Sequence, residues 1–255
     1  MTKTGKTPNY MLNAGRAMLD AILPPVCPVT KEIVDAPGAL APQAWSALDF
    51  IAGQVCAHCG YPFEFTGPID QLCAVCEARP PRVQRTRSAL VYNAVSRALV
   101  LGLKSGGHTD GVARLATWMA RAGDDLLVRD ACLVPVPLHW RRRVQRRFNQ
   151  SALLGRALAK RQGLRFCPHL LVRRRATPSQ GGLGARARRS NVAGAFMVPP
   201  RYRAGVKDAH IILVDDVRTT GATLDACARP LLAAGAARVD ALTLCRVVKP
   251  ADATK

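Results

Sequence analysis

The strongest apolar run in the chain is His210-Ile211-Ile212-Leu213-Val214, which reads as a strand buried on both faces. A glycine-containing turn is expected at once after Val214. A helix over Leu224–Ala234 follows, ended by Gly235 and kinked by Pro230. Val239–Leu244 reads as the closing strand. Upstream, Ser88–Tyr92 and Cys132–Val136 are strand candidates, and Leu170–Val172 is a short one. Helical spacing covers Ala94–Leu103, Thr109–Ala122 with Gly123 past its end, and Asn149–Arg161 with Leu153, Leu154, Ala157 and Leu158 on one side. Tyr10–Leu23 has the spacing of an amphipathic helix stopped by Pro24-Pro25. Strands alternating with helices predict an α/β fold with an open, mostly parallel sheet covered on both faces.

Residues 26–80 break this texture. They are rich in Cys, Pro and Gly and nearly free of periodic runs, so their core needs something besides side-chain packing. Three parts are expected: an N-terminal helix over 1–22, a small module over 23–80, and the α/β domain over 81–250. A mobile loop is expected near 173–191, where Arg, Gly, Ser and Thr dominate.

Composition narrows the class. In 255 residues the hydrophobic fraction is 49%, enough for a sizeable core. Lys and Arg total 37 against 17 acids, a formal charge of +20. Such an excess suits polyanions such as nucleic acid, phosphorylated metabolites or anionic lipid, although GC-rich coding also enriches Arg and Ala. No window reaches the roughly 18 uninterrupted apolar residues of a membrane span, and residues 1–20 lack a signal-peptide pattern, so a cytoplasmic protein is expected.

Four of the nine cysteines form two pairs, Cys56-Ala57-His58-Cys59 and Cys73-Ala74-Val75-Cys76. Each Cys-x-x-Cys turn brings two thiolates to one ion, and two turns complete a tetrahedral zinc shell. Cys56, Cys59, Cys73 and Cys76 leave no open position, which makes Zn2+ here structural. Gly60 lets the first turn curl. Cys27-Pro28-Val29-Thr30 looks like half of another pair, but Thr30 stands where the partner would be and residues 31–55 hold no cysteine. One zinc is therefore expected, not two.

The run Val214-Asp215-Asp216-Val217-Arg218-Thr219-Thr220-Gly221-Ala222-Thr223 carries the sharpest chemistry. A buried strand delivers two carboxylates to its carboxyl end, where open parallel sheets bind ligands. Backbone N–H groups of the turn and the helix start suit a phosphate, and the threonine hydroxyls can donate to it. Adjacent carboxylates would repel that phosphate unless ribose hydroxyls or a shared divalent cation lie between. The physical reading is a ribose-phosphate site. The common nucleotide-binding glycine loops are absent.

This segment resembles the phosphoribosyl-pyrophosphate signature of type I phosphoribosyltransferases. With Leu23-Pro24-Pro25, Val134-Pro135-Val136-Pro137-Leu138, Arg147-Phe148-Asn149-Gln150, Thr177-Pro178-Ser179-Gln180 and Arg189-Ser190-Asn191, the chain is similar to the ComF family. Those proteins place a zinc ribbon ahead of a type I phosphoribosyltransferase fold. The resemblance implies that Asp215 and Asp216 bind ribose hydroxyls. It implies that Val217, Arg218, Thr219, Thr220, Gly221, Ala222 and Thr223 hold the 5′-phosphate, with Val136 and Pro137 facing pyrophosphate. Lys104, Arg186 and Arg189 would face the leaving group, which Mg2+ would bridge. The implied chemistry is attack of a nitrogen nucleophile on C1 of the ribose, with pyrophosphate leaving. Arg218 departs from the family, which has an apolar or small residue there.

The resemblance also implies a competence setting. A competing reading is a non-enzymatic accessory of natural transformation that binds single-stranded DNA and acts with a helicase. Five arginines between 141 and 147 could grip a phosphate backbone, pyrophosphate, or only water. Aromatic residues are 5% of the chain and do not interleave with that run, so base stacking has little support.

Overall fold

The computed structural model describes residues 24–105, 110–138, 148–175 and 190–248. The expected N-terminal helix, the arginine run and most of the expected loop lie outside them. In chain order the elements are helices α1 (Pro42–Ser46) and α2 (Ala74–Ala78), strand β1 (Thr86–Val91), helices α3 (Ala94–Ser105) and α4 (Val112–Ala122), and strand β2 (Cys132–Pro135). Helix α5 (Gln150–Gln162) and the short strands β3 (Arg165–Phe166), β4 (Val172–Arg173) and β5 (Phe196–Met197) follow. A 3-10 turn (Pro200–Gly205), strand β6 (His210–Arg218), helix α6 (Ala222–Ala233) and strand β7 (Arg238–Arg246) complete the chain.

Five strands form one sheet in the order β1-β7-β6-β2-β3, every neighbouring pair parallel. β4 and β5 make a separate antiparallel pair. The apolar run of β6 divides strictly between the two faces. Ile212 and Val214 join Leu133, Leu242 and Leu244 beneath α3, α4 and α5. Ile211 and Leu213 join Val134, Val239 and Ala241 beneath α6. Both faces are covered, which is why the run reads as unbroken rather than alternating. The chain thus has the expected α/β fold with an open, mostly parallel sheet, preceded by a cysteine-bearing module.

β6 departs from expectation. The chain does not turn after Val214: Asp215 stays in register with Thr243, Val217 with Cys245 and Arg218 with Arg246. β7 is long enough to pair all of them, so the carboxylates stand on strand backbone and the turn shrinks to residues 219–221. The adjoining helix starts at Ala222, two residues before the expected Leu224. Asn149 caps α5 as its position suggests, its side chain accepting from the Ser151 N–H at 3.1 Å. The expected loop has a pinned base: Arg174 N–H bonds to Ala195 O at 2.9 Å, and Arg175 donates to the carbonyls of Asn191 and Ala193.

One charge lies deep in the sheet. Asp240 of β7 has no exposed side chain, yet it accepts the Arg85 N–H at 2.9 Å and meets His210 Nε2 at 2.9 Å and Arg238 Nε at 2.6 Å. Burial alone would raise its carboxyl, but the His210 hydrogen bond and the Arg238 charge win and hold it below its ordinary 3.8. A depressed folded value means stability that is full above about pH 4 and is lost as pH falls through the folded value. Asp240→Asn should cost about 2–3 kcal/mol at pH 7. Urea melts from pH 7 to pH 2.5 should show a flatter loss of stability for the variant below pH 4. Parallel curves would contradict this assignment.

Candidate functional site

The four cysteines converge as their spacing requires. Ligand atoms of Cys56, Cys59, Cys73 and Cys76 all lie within 4.8 Å of one another, and all four residues are buried. Gly60 takes a left-handed φ of +69°, and its N–H bonds to Cys56 O at 2.8 Å, closing the first turn. Cys73 caps α2 and sends its N–H to Cys56 Sγ at 3.3 Å. The sulfurs compete for protons. Hydrogen bonds from Cys56, Cys73 and Cys76 drive the Cys59 thiol far below the ordinary thiol range, while those with Cys56 and Cys59 drive Cys73 and Cys76 far above it. A tetrahedral dication removes that conflict by taking all four as thiolates. The donor set fits structural zinc, held by Cys56, Cys59, Cys73 and Cys76. His58 is not in the cluster, as expected for a residue between two ligands.

The cluster meets the sheet at the start of β1, where the Thr86 N–H bonds to His58 O, and at Arg246 of β7. Arg246, at the end of β7, donates to Cys59 O and, at 3.4 Å, to Cys59 Sγ, and its guanidinium lies 5.0 Å from the Tyr61 ring centroid. Arg218 is its register partner on β6 and is only 8% exposed. Burial and the Arg246 charge lower its guanidinium pKa, and the thiolates of Cys59 and Cys76 oppose them. Arg218 therefore does not face solvent. Its guanidinium packs under the next loop, 3.0 Å from where a Cβ on Gly221 would stand.

That loop is Thr219-Thr220-Gly221. Gly221 has φ +78° and caps α6, whose first-turn amides have no intrahelical acceptor. Thr219, Thr220 and Thr223 are partly exposed. Asp215 and Asp216 stand just before it, also partly exposed. Asp215 Oδ1 accepts from Ser151 Oγ at 2.9 Å and from the Asp216 N–H at 3.0 Å, and Asp216 Oδ1 accepts from the Val217 N–H at 2.7 Å. The end of β2 lies alongside: Val136 N–H bonds to Val214 O at 2.9 Å, and Val136 O accepts from Asn149 Nδ2 at 3.0 Å. Val136, Pro137 and the segment 215–223 thus share one rim. Asp225 in the first turn of α6 is turned away, accepting from the Arg82 N–H at 3.0 Å. Lys104 falls on the last turn of α3, and Arg186 and Arg189 lie outside the described residues.

Ser151 and Arg246 escape sequence reasoning. Ser151 sits next to the helix cap Asn149, and only the approach of α5 to β6 brings it to Asp215. Arg246 looks like one more surface cation until β7 is seen ending under the ribbon.

Comparisons agree with this architecture. Residues 18–77 match the Double zinc ribbon domain, and residues 153–254 match the Phosphoribosyl transferase domain. The chain is 37% identical over 200 residues to DNA utilization protein YhgH of Salmonella typhi, covering 76% of this chain and 85% of the relative. It is 27% identical over 212 residues to Competence protein ComFC of Bacillus subtilis, covering 79% and 81%. A solved hypoxanthine phosphoribosyltransferase of Staphylococcus aureus shares 14% identity over 56% of this chain and 66% of its own, with a TM-score of 0.35. Among the described residues no helix is long and apolar enough to cross a membrane.

Gly60 offers a direct test of how the ribbon meets the sheet. A Cβ there would stand 2.4 Å from Thr86 O, a backbone atom that is itself tied to the knuckle by the Thr86 N–H to His58 O bond. Gly60→Ala should destabilise by more than the about 1–2 kcal/mol of a left-handed backbone alone, read as a lowered denaturant midpoint. An unchanged midpoint would mean the knuckle is not seated on β1 in this way. A four-cysteine cluster packed against β1 and β7 of a phosphoribosyltransferase-type sheet, in a chain aligned with YhgH over three quarters of its length, makes this protein a member of the ComF family.

Proposed function

We propose that the rim formed by 136–137 and 215–223 binds phosphoribosyl pyrophosphate with Mg2+. The observation that carries this reading is the sequence of groups along one edge. Two carboxylates stand at the carboxyl end of β6, followed by a three-residue hydroxyl-and-glycine loop, a helix N-terminus and a buried guanidinium. A 5′-phosphate in that loop accepts from the first amides of α6 and from Thr219, Thr220 and Thr223. Asp215 and Asp216 accept from the ribose hydroxyls. Ser151 fixes the rotamer of Asp215, so the acceptor is oriented before the sugar arrives. Mg2+ carried in with the donor would supply charge neutralisation on pyrophosphate.

Transfer to a nitrogen nucleophile is the activity this site suits. The bond from C1 to the pyrophosphate oxygen breaks, the bond from C1 to nitrogen forms, and pyrophosphate carries away the electron pair. The protein contributes orientation and charge rather than a covalent nucleophile. Asp215 and Asp216 hold the hydroxyls beside the positive charge that develops on the sugar. Val136 and Pro137 present a stiff edge to pyrophosphate, with Lys104, Arg186 and Arg189 as its cationic partners by family resemblance.

The setting we propose is competence and DNA uptake, as the relatives' names DNA utilization protein and Competence protein indicate for those proteins. The +20 charge favours a second reading, in which single-stranded DNA lies on the basic surface and the donor site regulates its use. The two are separable. In calorimetry with phosphoribosyl pyrophosphate and Mg2+, the wild type should bind, and Asp215→Asn with Asp216→Asn should weaken binding on the order of 100-fold. Single-stranded DNA affinity, titrated over a range of salt, should be the same for both proteins. No donor binding by the folded wild type would overturn the donor site, and salt-insensitive or absent DNA binding would overturn the second reading.

A further inference from the structure

The module before the sheet contains the same ribbon twice. In the second copy, the Cys56 N–H bonds to Tyr61 O at 2.8 Å, the Gly60 N–H bonds to Cys56 O at 2.8 Å, and Val55 bridges Pro62. In the first copy, 29 positions earlier (56 against 27), the Cys27 N–H bonds to Glu32 O at 2.7 Å, the Lys31 N–H bonds to Cys27 O at 3.0 Å, and Val26 bridges Ile33. Lys31 even adopts the left-handed φ of Gly60, +66° against +69°. A non-glycine residue in that conformation is held there by its surroundings.

The second halves correspond as well, now 32 positions apart (73 against 41). Ala41 caps the five-residue helix α1 as Cys73 caps the five-residue helix α2, both from extended backbone. The amides aimed at sulfur also match. Thr30 N–H points at Cys27 Sγ at 3.5 Å, with a further amide from Ala41. Cys56 Sγ receives the Cys59 amide and, at 3.3 Å, that of Cys73. The four ligand positions Cys56, Cys59, Cys73 and Cys76 therefore map onto Cys27, Thr30, Ala41 and Ala44.

We infer that residues 25–46 are a zinc ribbon that has lost its metal but kept its fold, so the chain holds one zinc although its module is double. Alanine offers no ligand, and a single thiol with one hydroxyl cannot supply the tetrahedral thiolate and imidazole set that zinc needs. Apolar packing takes the place of the ion. Cys27, Ala41 and Ala44 are at most 2% exposed and form a small core with Val34, Leu40 and Val95. Val29 and Leu40 extend that core into the larger one beneath α3 and α4. A metal shell needs polar ligands pointing inward, whereas this centre is built from small apolar groups that close the space. The two ribbons thus respond differently to a chelator: the second falls apart, and the first stays folded on the helices.

Metal analysis of the purified full chain tests this. The wild type should carry one zinc per chain, and Cys27→Ala should still carry one. Thr30→Cys, Ala41→Cys and Ala44→Cys combined rebuild the lost shell and should give two, with the Co2+–thiolate absorption of the cobalt-loaded protein doubling. Amide exchange after chelation should rise about 10-fold or more over 54–78 and stay within about twofold over 27–45. Two zincs in the wild type, loss of zinc in Cys27→Ala, or a folded triple variant that still holds one would each overturn the inference. If the triple variant does not fold, the wild-type count and the Cys27→Ala count decide.

Discussion

Two buried guanidiniums at adjacent strand ends are the constraint around which this molecule is arranged. Arg218 and Arg246 are register partners at the carboxyl edge of the sheet, 8% and 3% exposed. Side by side in a low-dielectric interior they repel each other, and each loses its hydration. Arg246 answers with the Cys59 carbonyl, Cys59 Sγ and the Tyr61 ring. Four thiolates around one zinc carry a net charge of −2, equal and opposite to the pair. The ribbon is therefore more than a cap on the fold. Loaded with zinc, the cluster would place that negative charge beside Arg246, whose guanidinium already meets Cys59.

Placement explains why the ribbon and the sheet stay together. Gly60 lies against the backbone of β1, the Thr86 N–H reaches His58 O, and Arg87 reaches Ala57 O. The linker between them is tied down as well, with Asp225 accepting from the Arg82 N–H and Asp240 from the Arg85 N–H. On the donor side Ser151, in the first turn of α5, holds Asp215, and the cap residue Asn149 holds the end of β2. A rim assembled from β2, β6 and α6 is thus braced by the start of α5.

Much of this could be read from residues alone. The apolar runs of β2, β6 and β7 marked the sheet, and Asn149 marked the start of α5. The cysteine pairs marked the ribbon, because ligand chemistry leaves few alternatives at that spacing. Failures came where tertiary pairing overrides local signals. Asp215, Asp216 and Arg218 look like the start of a turn, but β7 extends far enough to keep them in strand. Arg218 and Arg246 look like surface charges, since nothing local to either announces a thiolate cluster brought from more than 140 residues away. The first ribbon was visible only as Cys27 with Thr30 in a partner's place. Its equivalence to the second is carried by backbone hydrogen bonds and by two alanines, which give no sequence signal.

The central claim, that the loop between β6 and α6 receives the phosphate of a sugar donor, is most directly tested by amide hydrogen exchange. The full zinc-loaded chain would be measured with and without phosphoribosyl pyrophosphate and Mg2+. Protection should appear at residues 219–224 and, more weakly, at 136–138, with the ribbon unchanged. Unaltered exchange at 219–224 under saturating donor, or protection confined to another surface, would contradict the account.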